Sequence, residues 1–563
     1  MKGALKGLLS AFFVIFLLNI SVLANNPIIK TDGSGNRVYS ADPAALVDGD
    51  TVYLYVGQDK GTPTSNNMPN YLCYSSKDLI NWKYEGIPLK AADFPWGSAS
   101  QSWAAQVIKY KGKYYYFMCK DSTGISVAIS DTPTGPFINA LGSQKLIEPS
   151  WTAGKVIWDD LDPTVWVEED ENGVEKRYMM WGNSNLYLVE LNEDMISITD
   201  KNGDGIINGA DITELTIEGI PSNSKYTEAP WIYKRDGKFY LFFASNYYEE
   251  LSYATADNIY GPYKYEGIVM GVGASSSTNH PSVIDFKGKT YLIYHTGALA
   301  GGHGNARSVC IDELRFDENG KVIRLSESSI GLDGTAYHIA KASDQSQRIY
   351  FGHFENTLKA NEYPMGAMVF AGPQTAYKED YRWEIVEGKY KLNDGKEYVS
   401  IQAVHKMGYF ITNYNNHVKL LHDDDASTAT AQKQTFIKHI YEDGSIAFES
   451  VYSPGKYLTI VDGKIELTGF SEENSKFVLI EQVRFSPYVE VTEEGFRVYG
   501  AFKPEGKYAL FEVRDKDGNV EYIGVIKSSA DGEINYTYAP KQQGEYLIRV
   551  GSYKFKVKWG EEK

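Results

Sequence analysis

One strand pattern returns five times between residues 52 and 293. It reads Val52-Tyr53-Leu54-Tyr55, Tyr114-Tyr115-Tyr116-Phe117, Arg177-Tyr178-Met179-Met180, Phe239-Tyr240-Leu241-Phe242 and Thr290-Tyr291-Leu292-Ile293. Most copies follow a tight glycine turn, as in Lys111-Gly112-Lys113 and Asp236-Gly237-Lys238. The aligned tyrosines, 53, 115, 178, 240 and 291, are separated by 62, 63, 62 and 51 residues. A small β unit repeated at such a period cannot bury its apolar faces alone and must stack on its neighbours. Radial repetition about an axis solves that problem. Five copies predict a five-bladed β-propeller over residues 25–340, since a two-sheet sandwich would not repeat so regularly.

A second repeat begins near residue 345. Aromatic–hydrophobic strands recur at Arg382-Trp383-Glu384-Ile385, Thr435-Phe436-Ile437 and Lys476-Phe477-Val478. Two units carry Gly-Tyr-Phe-Ile (from Gly408) or Gly-Lys-Tyr-Leu (from Gly455). Three such units predict a β-trefoil-like domain over 341–482. Residues 483–563 alternate apolar and polar, as in Phe496-Arg497-Val498-Tyr499, with turns such as Asp517-Gly518. That pattern suits a small Ig-like β-sandwich. Helix signals are scarce, and the chain reads as all-β.

The formal charge of −17 argues against nucleic acid or an anionic membrane as partner, because both call for clustered Lys and Arg. Three cysteines (Cys73, Cys119, Cys310) lie inside strand-like runs and are expected to be buried free thiols. The 43 tyrosines and 10 tryptophans suit pleated surfaces, and their faces can also stack on sugar rings. Lys2 and Lys6 precede an apolar run from Leu8 to Leu23, and Val22-Leu23-Ala24 ends it with small residues. Residues 1–24 are therefore expected to be a secretory signal, with the mature protein secreted or periplasmic.

Three acids stand just before repeated strands. Asp42 lies in Ala41-Asp42-Pro43, Asp162 in Leu161-Asp162-Pro163-Thr164, and Glu228 in Thr227-Glu228-Ala229-Pro230. Proline blocks helix at the residue before it and starts an extended segment. The acids precede the repeated tyrosine by 11, 16 and 12 residues, which places them at similar radial positions around one axis. Convergent carboxyl groups are what glycosidic hydrolysis needs, one to protonate the leaving oxygen and one to activate water or attack carbon.

These residues resemble glycoside hydrolase family 43, the arabinofuranosidases and xylosidases. Ala41-Asp42-Pro43, Trp103-Ala104, Leu161-Asp162-Pro163-Thr164-Val165, Thr227-Glu228-Ala229-Pro230 and Tyr294-His295 carry the resemblance. It implies Asp42 as the general base, Glu228 as the general acid, and Asp162 as the carboxylate that orients the acid and raises its pKa. It implies inversion, with the base and acid roughly 6.5–9.5 Å apart to admit a water. Trp103 is a candidate stacking platform, and Trp181 reads as core. His295 corresponds to a residue at the propeller axis near a bound ion or water cluster, and His280 could line the same cavity. Arg307 resembles the family's substrate-contacting arginine.

A further motif lies at Asp200-Lys201-Asn202-Gly203-Asp204-Gly205-Ile206-Ile207-Asn208-Gly209-Ala210-Asp211. Oxygen donors at Asp200, Asn202, Asp204, Asn208 and Asp211, with the Ile206 carbonyl and a glycine at position 6, match a calcium loop. It resembles one dockerin loop, present once, and is expected to hold a structural calcium in a propeller insertion. The trefoil region resembles an arabinofuranose-binding domain, chiefly through Ala447-Phe448-Glu449-Ser450 to Tyr457-Leu458. Thr459, Ile460, Thr412 and Asn413 stand where that family places a ligand-binding histidine. The resulting expectation is an exo-acting α-L-arabinofuranosidase acting on plant cell-wall arabinoxylan or arabinan. A β-xylosidase and a non-catalytic glycan-binding propeller are the alternatives.

Overall fold

The computed structural model describes residues 25–152, 160–170, 172–222, 224–273, 275–317, 319–352, 367–373, 378–415, 417–422, 427–482, 486–492, 494–501, 508–527, 533–550 and 553–560. The expected signal segment, 1–24, lies outside them. The first part of the chain forms five sheets, antiparallel throughout except for one short parallel outer pairing in the fourth. Their innermost strands are Tyr39–Asp48, Ser102–Tyr110, Thr164–Glu169, Tyr226–Arg235 and Ser282–Phe286. Each innermost strand neighbours the next, and the fifth neighbours the first, so the sheets close into a ring of five blades. The segment before blade one helps to close it: Ile28 N–H donates to the Val309 carbonyl of blade five at 2.8 Å.

The repeated strand is the second of each blade, and its alternation explains the ring. Successive side chains of a strand point to opposite faces. In blade two, Tyr114, Tyr116 and Met118 pack with Tyr55 and Cys73 of blade one. Tyr115, Phe117 and Cys119 pack with Met179 and Trp181 of blade three. Tyr178 and Met180 then meet Leu241 and Phe243 of blade four. Tyr240 and Phe242 meet Leu292 and Tyr294 of blade five, and Tyr291 and Ile293 meet Val52 and Leu54 of blade one. Every repeated tyrosine thus faces the following blade. These strands are apolar on both faces because each lies between two seams. The three cysteines are buried free thiols, Cys119 in such a strand and Cys73 and Cys310 in the strand that follows it in blades one and five.

Twelve strands between Ala336 and Gln482 form one connected sheet system. Six of them, Ala336–Lys341, Trp383–Glu387, Tyr398–Ala403, Phe436–Ile440, Ile446–Ser450 and Phe477–Gln482, pair in a closed ring. Three hairpins cap it and pair with one another in a triangle. A six-stranded barrel with a three-hairpin cap is a β-trefoil. The barrel starts at Ala336 rather than at 341, because its first strand closes against its last, Phe477–Gln482. Beyond it, a three-stranded and a four-stranded sheet enclose a core of Phe496, Val498, Phe511, Val513, Ile548 and Phe555, a small sandwich.

The trefoil is fastened to the propeller. Met407 is buried in the core between blades four and five, and its N–H donates to Glu327. Glu384 accepts hydrogen bonds from Ser329 and Asn25. Ser275, in the loop that enters blade five, bonds His422 at 3.1 Å.

Candidate active site

Each of the three acids sits where the chain breaks pattern to enter an innermost strand. Asp42 (φ 51°) and Asp162 (φ 59°) are left-handed and are followed directly by proline; in blade four Ala229 (φ 58°) holds that place and Glu228 precedes it. The strand pairing skips between Ala41 and Ala44 and around Glu228. Left-handed backbone costs a residue with a Cβ on the order of 1 kcal/mol. Here it aims carboxyls away from the sheet, toward the axis. Because the acid of blade four stands one residue earlier and is a glutamate, its carboxyl approaches from a different direction.

Asp42 is held by a positive clamp. Arg307 Nη1 donates to Asp42 Oδ1 at 2.9 Å. The guanidinium is itself gripped by Asp59, through Nε to Oδ2 at 2.9 Å and Nη2 to Oδ1 at 3.1 Å. Arg307 Nη1 also donates to Thr278 Oγ1, and Nη2 reaches Asp42 Oδ2 and Met68 Sδ. Its donors are thus engaged within the protein, and it is buried. The substrate-contacting role that the resemblance implied for Arg307 does not fit this geometry: the residue positions Asp42. Burial raises the Asp42 pKa from 3.8 to about 6, the guanidinium opposing it and Asp59 adding to it.

His295 supports the same residue from behind. Its Nδ1 accepts the Asp42 N–H at 3.2 Å, and its Nε2 donates to the Thr278 carbonyl at 2.8 Å. The ring is fully buried and neutral, burial and Arg307 pushing its pKa well down. Both ring nitrogens are thus engaged within the protein.

Asp162 and Glu228 form the other side. Asp162 Oδ2 accepts the N–H of Ala229, next to Glu228, at 2.9 Å. Asn183 Nδ2 donates to Glu228 Oε2 at 2.6 Å, and Ser184 Oγ donates to Asn183 Oδ1 at 3.1 Å, which fixes the amide's direction. Burial raises the Glu228 pKa from 4.5 to about 7, Asp42 adds to this, and Asn183 and Arg307 oppose it. Burial, then Glu228, then Asp42 push Asp162 well above the carboxylate range. Burial is thus the leading cause for both acids, and the two carboxyls repel each other's charge.

His280 lies at the position in blade five that Asp42 and Asp162 hold in blades one and three, directly before Pro281. It is buried, with Nδ1 3.9 Å from Asp162 Oδ2, and neutral, since burial lowers its pKa to about 3. Trp103 is half-buried; its Nε1 donates to Gln101, and its ring packs on the core between blades two and three. Trp181 is core, its Nε1 bonded to Asp160. Three residues of the site carry no local sequence signal: Asp59 at a strand end, Asn183 after one, and Glu249. Glu249 is buried, and its Oε2 accepts the Asn279 N–H at 2.7 Å.

The 200–211 loop lies between the third and fourth strands of blade three. Its acids fold onto their own backbone. Asp200 accepts the N–H groups of Gly203 and Gly205, Asp204 accepts that of Ile206, and Asp211 accepts those of Lys201 and Asn208. The donors are the hard oxygens calcium prefers, and the loop curls around them. Among the described residues no three His, Cys, Asp or Glu side chains gather as a metal site.

A propeller with acids of distinct proton affinity at its axis is built for glycosidic hydrolysis, and the comparisons agree. Residues 25–322 match the glycosyl hydrolases family 43 profile, and the chain belongs to that family of inverting glycosidases. Residues 352–478 match the α-L-arabinofuranosidase B domain. A xylosidase/arabinosidase from Bacteroides ovatus is 30% identical over 315 residues, which is 51% of this chain and 95% of that one. An arabinoxylan arabinofuranohydrolase from Paenibacillus polymyxa is 27% identical, over 56% of this chain and 55% of its own. A crystal structure of a family 43 β-xylosidase/α-arabinofuranosidase from a compost metagenome covers 51% of this chain and 94% of its own, at 27% identity and a TM-score of 0.44.

Proposed function

We propose that the protein is a secreted, exo-acting α-L-arabinofuranosidase that removes arabinose side chains from arabinoxylan or arabinan. Asp42 takes a proton from water as the water attacks the anomeric carbon. Glu228 gives its proton to the departing glycosidic oxygen, and the product leaves with inverted configuration. Asp162 holds the backbone beside Glu228 and keeps a proton in the acid pair. The observation that carries this reading is the difference between the two sides. One acid is clamped by Arg307, a cation that favours its ionised form. The other is buried with an amide donor and no ion pair, and burial and the Asp42 charge favour its protonated form. A base and an acid must differ in that sense at working pH.

Arabinose rather than xylose is supported by the arabinofuranosidase B domain match and by the name of the Paenibacillus relative. The xylosidase/arabinosidase name of the Bacteroides relative favours xylose release as the second reading. Turnover of aryl α-L-arabinofuranoside against aryl β-D-xyloside, with the sugar released from arabinoxylan identified, decides between them. Faster xyloside turnover and free xylose would overturn the arabinose reading, and no turnover of either would leave a glycan-binding propeller.

A structural calcium in the 200–211 loop is supported by its donor types and spacing. With calcium present the thermal midpoint should rise by a few degrees over the chelated protein, as expected when a ligand binds only the folded state. An unchanged midpoint removes calcium from the account.

A further inference from the structure

The hydrolytic reading uses three carboxyls, and a fourth, Asp59, backs the Arg307 clamp, yet the site buries a fifth that is left without a task. Glu249 immediately precedes the third strand of blade four, Glu250–Ala256. In that sheet Leu251 pairs with Ala244, and Ala244 pairs with Glu228. Glu249 therefore stands just past the row that carries Glu228, at the same end of the blade. Its exposure is 2%.

Two bonds tie it to the neighbouring blade. Its N–H donates to the Ser277 carbonyl at 3.0 Å, and its Oε2 accepts the Asn279 N–H at 2.7 Å. The segment so gripped, Ser277-Thr278-Asn279-His280, touches the rest of the site. Thr278 Oγ1 accepts from Arg307 and the Thr278 carbonyl accepts from His295, the two residues that hold Asp42. His280 lies beside Asp162.

We infer that Glu249 is a positioning residue of the hydrolytic site: it fastens the blade-five segment 277–280 against blade four and so sets the base and the acid in register. The inference rests on the roles proposed for Asp42 and Glu228. Glu249 acts as a neutral acid. The groups that act on it are the carboxyls of Glu228, Asp162 and Asp42 together with the Asn279 amide, and burial and these like charges favour its protonated form. On its own blade Tyr226 also lies within electrostatic reach. From blade five, Arg307 is engaged by Asp59 and Asp42, and His280 and His295 are neutral.

The test compares wild type, Glu249→Gln and Glu249→Ala on an activated aryl glycoside and on an unactivated oligosaccharide, across pH. Gln keeps the acceptor for Asn279 and carries no charge. It should retain near wild-type kcat, with both pH limbs in place. Ala should lose roughly 100-fold in kcat on both substrates, the scale of an ångström-sized misplacement, because the segment it releases carries the groups that hold Asp42 and both substrates need activated water.

Three results would overturn the inference. One is a Gln variant as impaired as Ala. Another is a Gln variant whose alkaline limb moves down, which would mean that an ionised Glu249 had been raising Glu228. The third is a properly folded Ala variant that keeps near wild-type kcat on both substrates. If the Ala variant does not fold, the Gln profile alone decides. Glu228→Gln is run beside them. Failure of that variant to discriminate the two leaving groups strikes the role of Glu228 itself, whereas failure of the Glu249 variants with Glu228→Gln behaving as expected strikes only this inference.

Discussion

The two sides of the propeller axis start from the same local device and end with opposite chemistry. Blades one and four both break strand pairing at an acid and place a left-handed residue before proline. On the blade-one side a guanidinium backed by Asp59 faces the carboxyl. On the blade-four side the neighbours are an amide and more carboxyls. Burial pushes both acids up, and Arg307 pulls both back but is hydrogen-bonded to Asp42 alone of the two. The backbone thus delivers acids to the axis, and second-layer residues from other blades decide which of them holds a proton.

The largest expected effects separate the two sides. Asp42→Asn should cost on the order of a thousandfold or more on every substrate, because water activation is always required. Glu228→Gln should cost as much on unactivated substrates but no more than about tenfold on an activated aryl glycoside, whose leaving group needs no proton. Equal losses on both substrates would erase the distinction. Next comes Arg307→Lys. An ammonium cannot reproduce the fork between Asp42 and Asp59, and kcat/KM should fall roughly 100-fold. The guanidinium lowers the Asp42 pKa, so the acid limb should also move to higher pH; an unmoved limb would show that the clamp has no electrostatic role.

In the wild type, activity should rise as Asp42 loses its proton near 6 and fall as Glu228 loses its own near 7. The result is a narrow bell for kcat/KM. A plateau extending to pH 9 would contradict it. The smallest effect should come from Asn183→Ala. That amide favours ionised Glu228, so its loss should raise the alkaline limb alone, by less than one pH unit, with a few-fold change in rate.

What the sequence disclosed follows the range of the forces involved. The blade period is written in short strands and glycine turns, each a local signal, so the propeller is readable from five tyrosines. The three acids are readable because proline marks them. Asp59, Asn183 and Glu249 sit at or near strand ends without such a mark, and only ring closure brings them to the axis. Arg307 was legible as a site residue but not in its role: a guanidinium offered to a sugar and one used up by two aspartates look alike in one dimension. The trefoil's start was misplaced for the same reason. Ala336–Lys341 is defined by a partner strand that begins at Phe477.

The crowding of buried acids at the axis also has a thermodynamic consequence for the whole fold. Moving the Asp42 pKa from 3.8 to about 6 corresponds to roughly 3 kcal/mol of added preference for the protonated form, and Glu228 is displaced in the same direction. Between pH 4 and 7 the unfolded chain gives up these protons before the folded one does. Folding is therefore proton uptake in that range, and its contribution to stability, complete at the acid end, is withdrawn as the pH climbs through 6 and 7. The arrangement that readies the acids for hydrolysis also makes the propeller firmest under mildly acidic conditions.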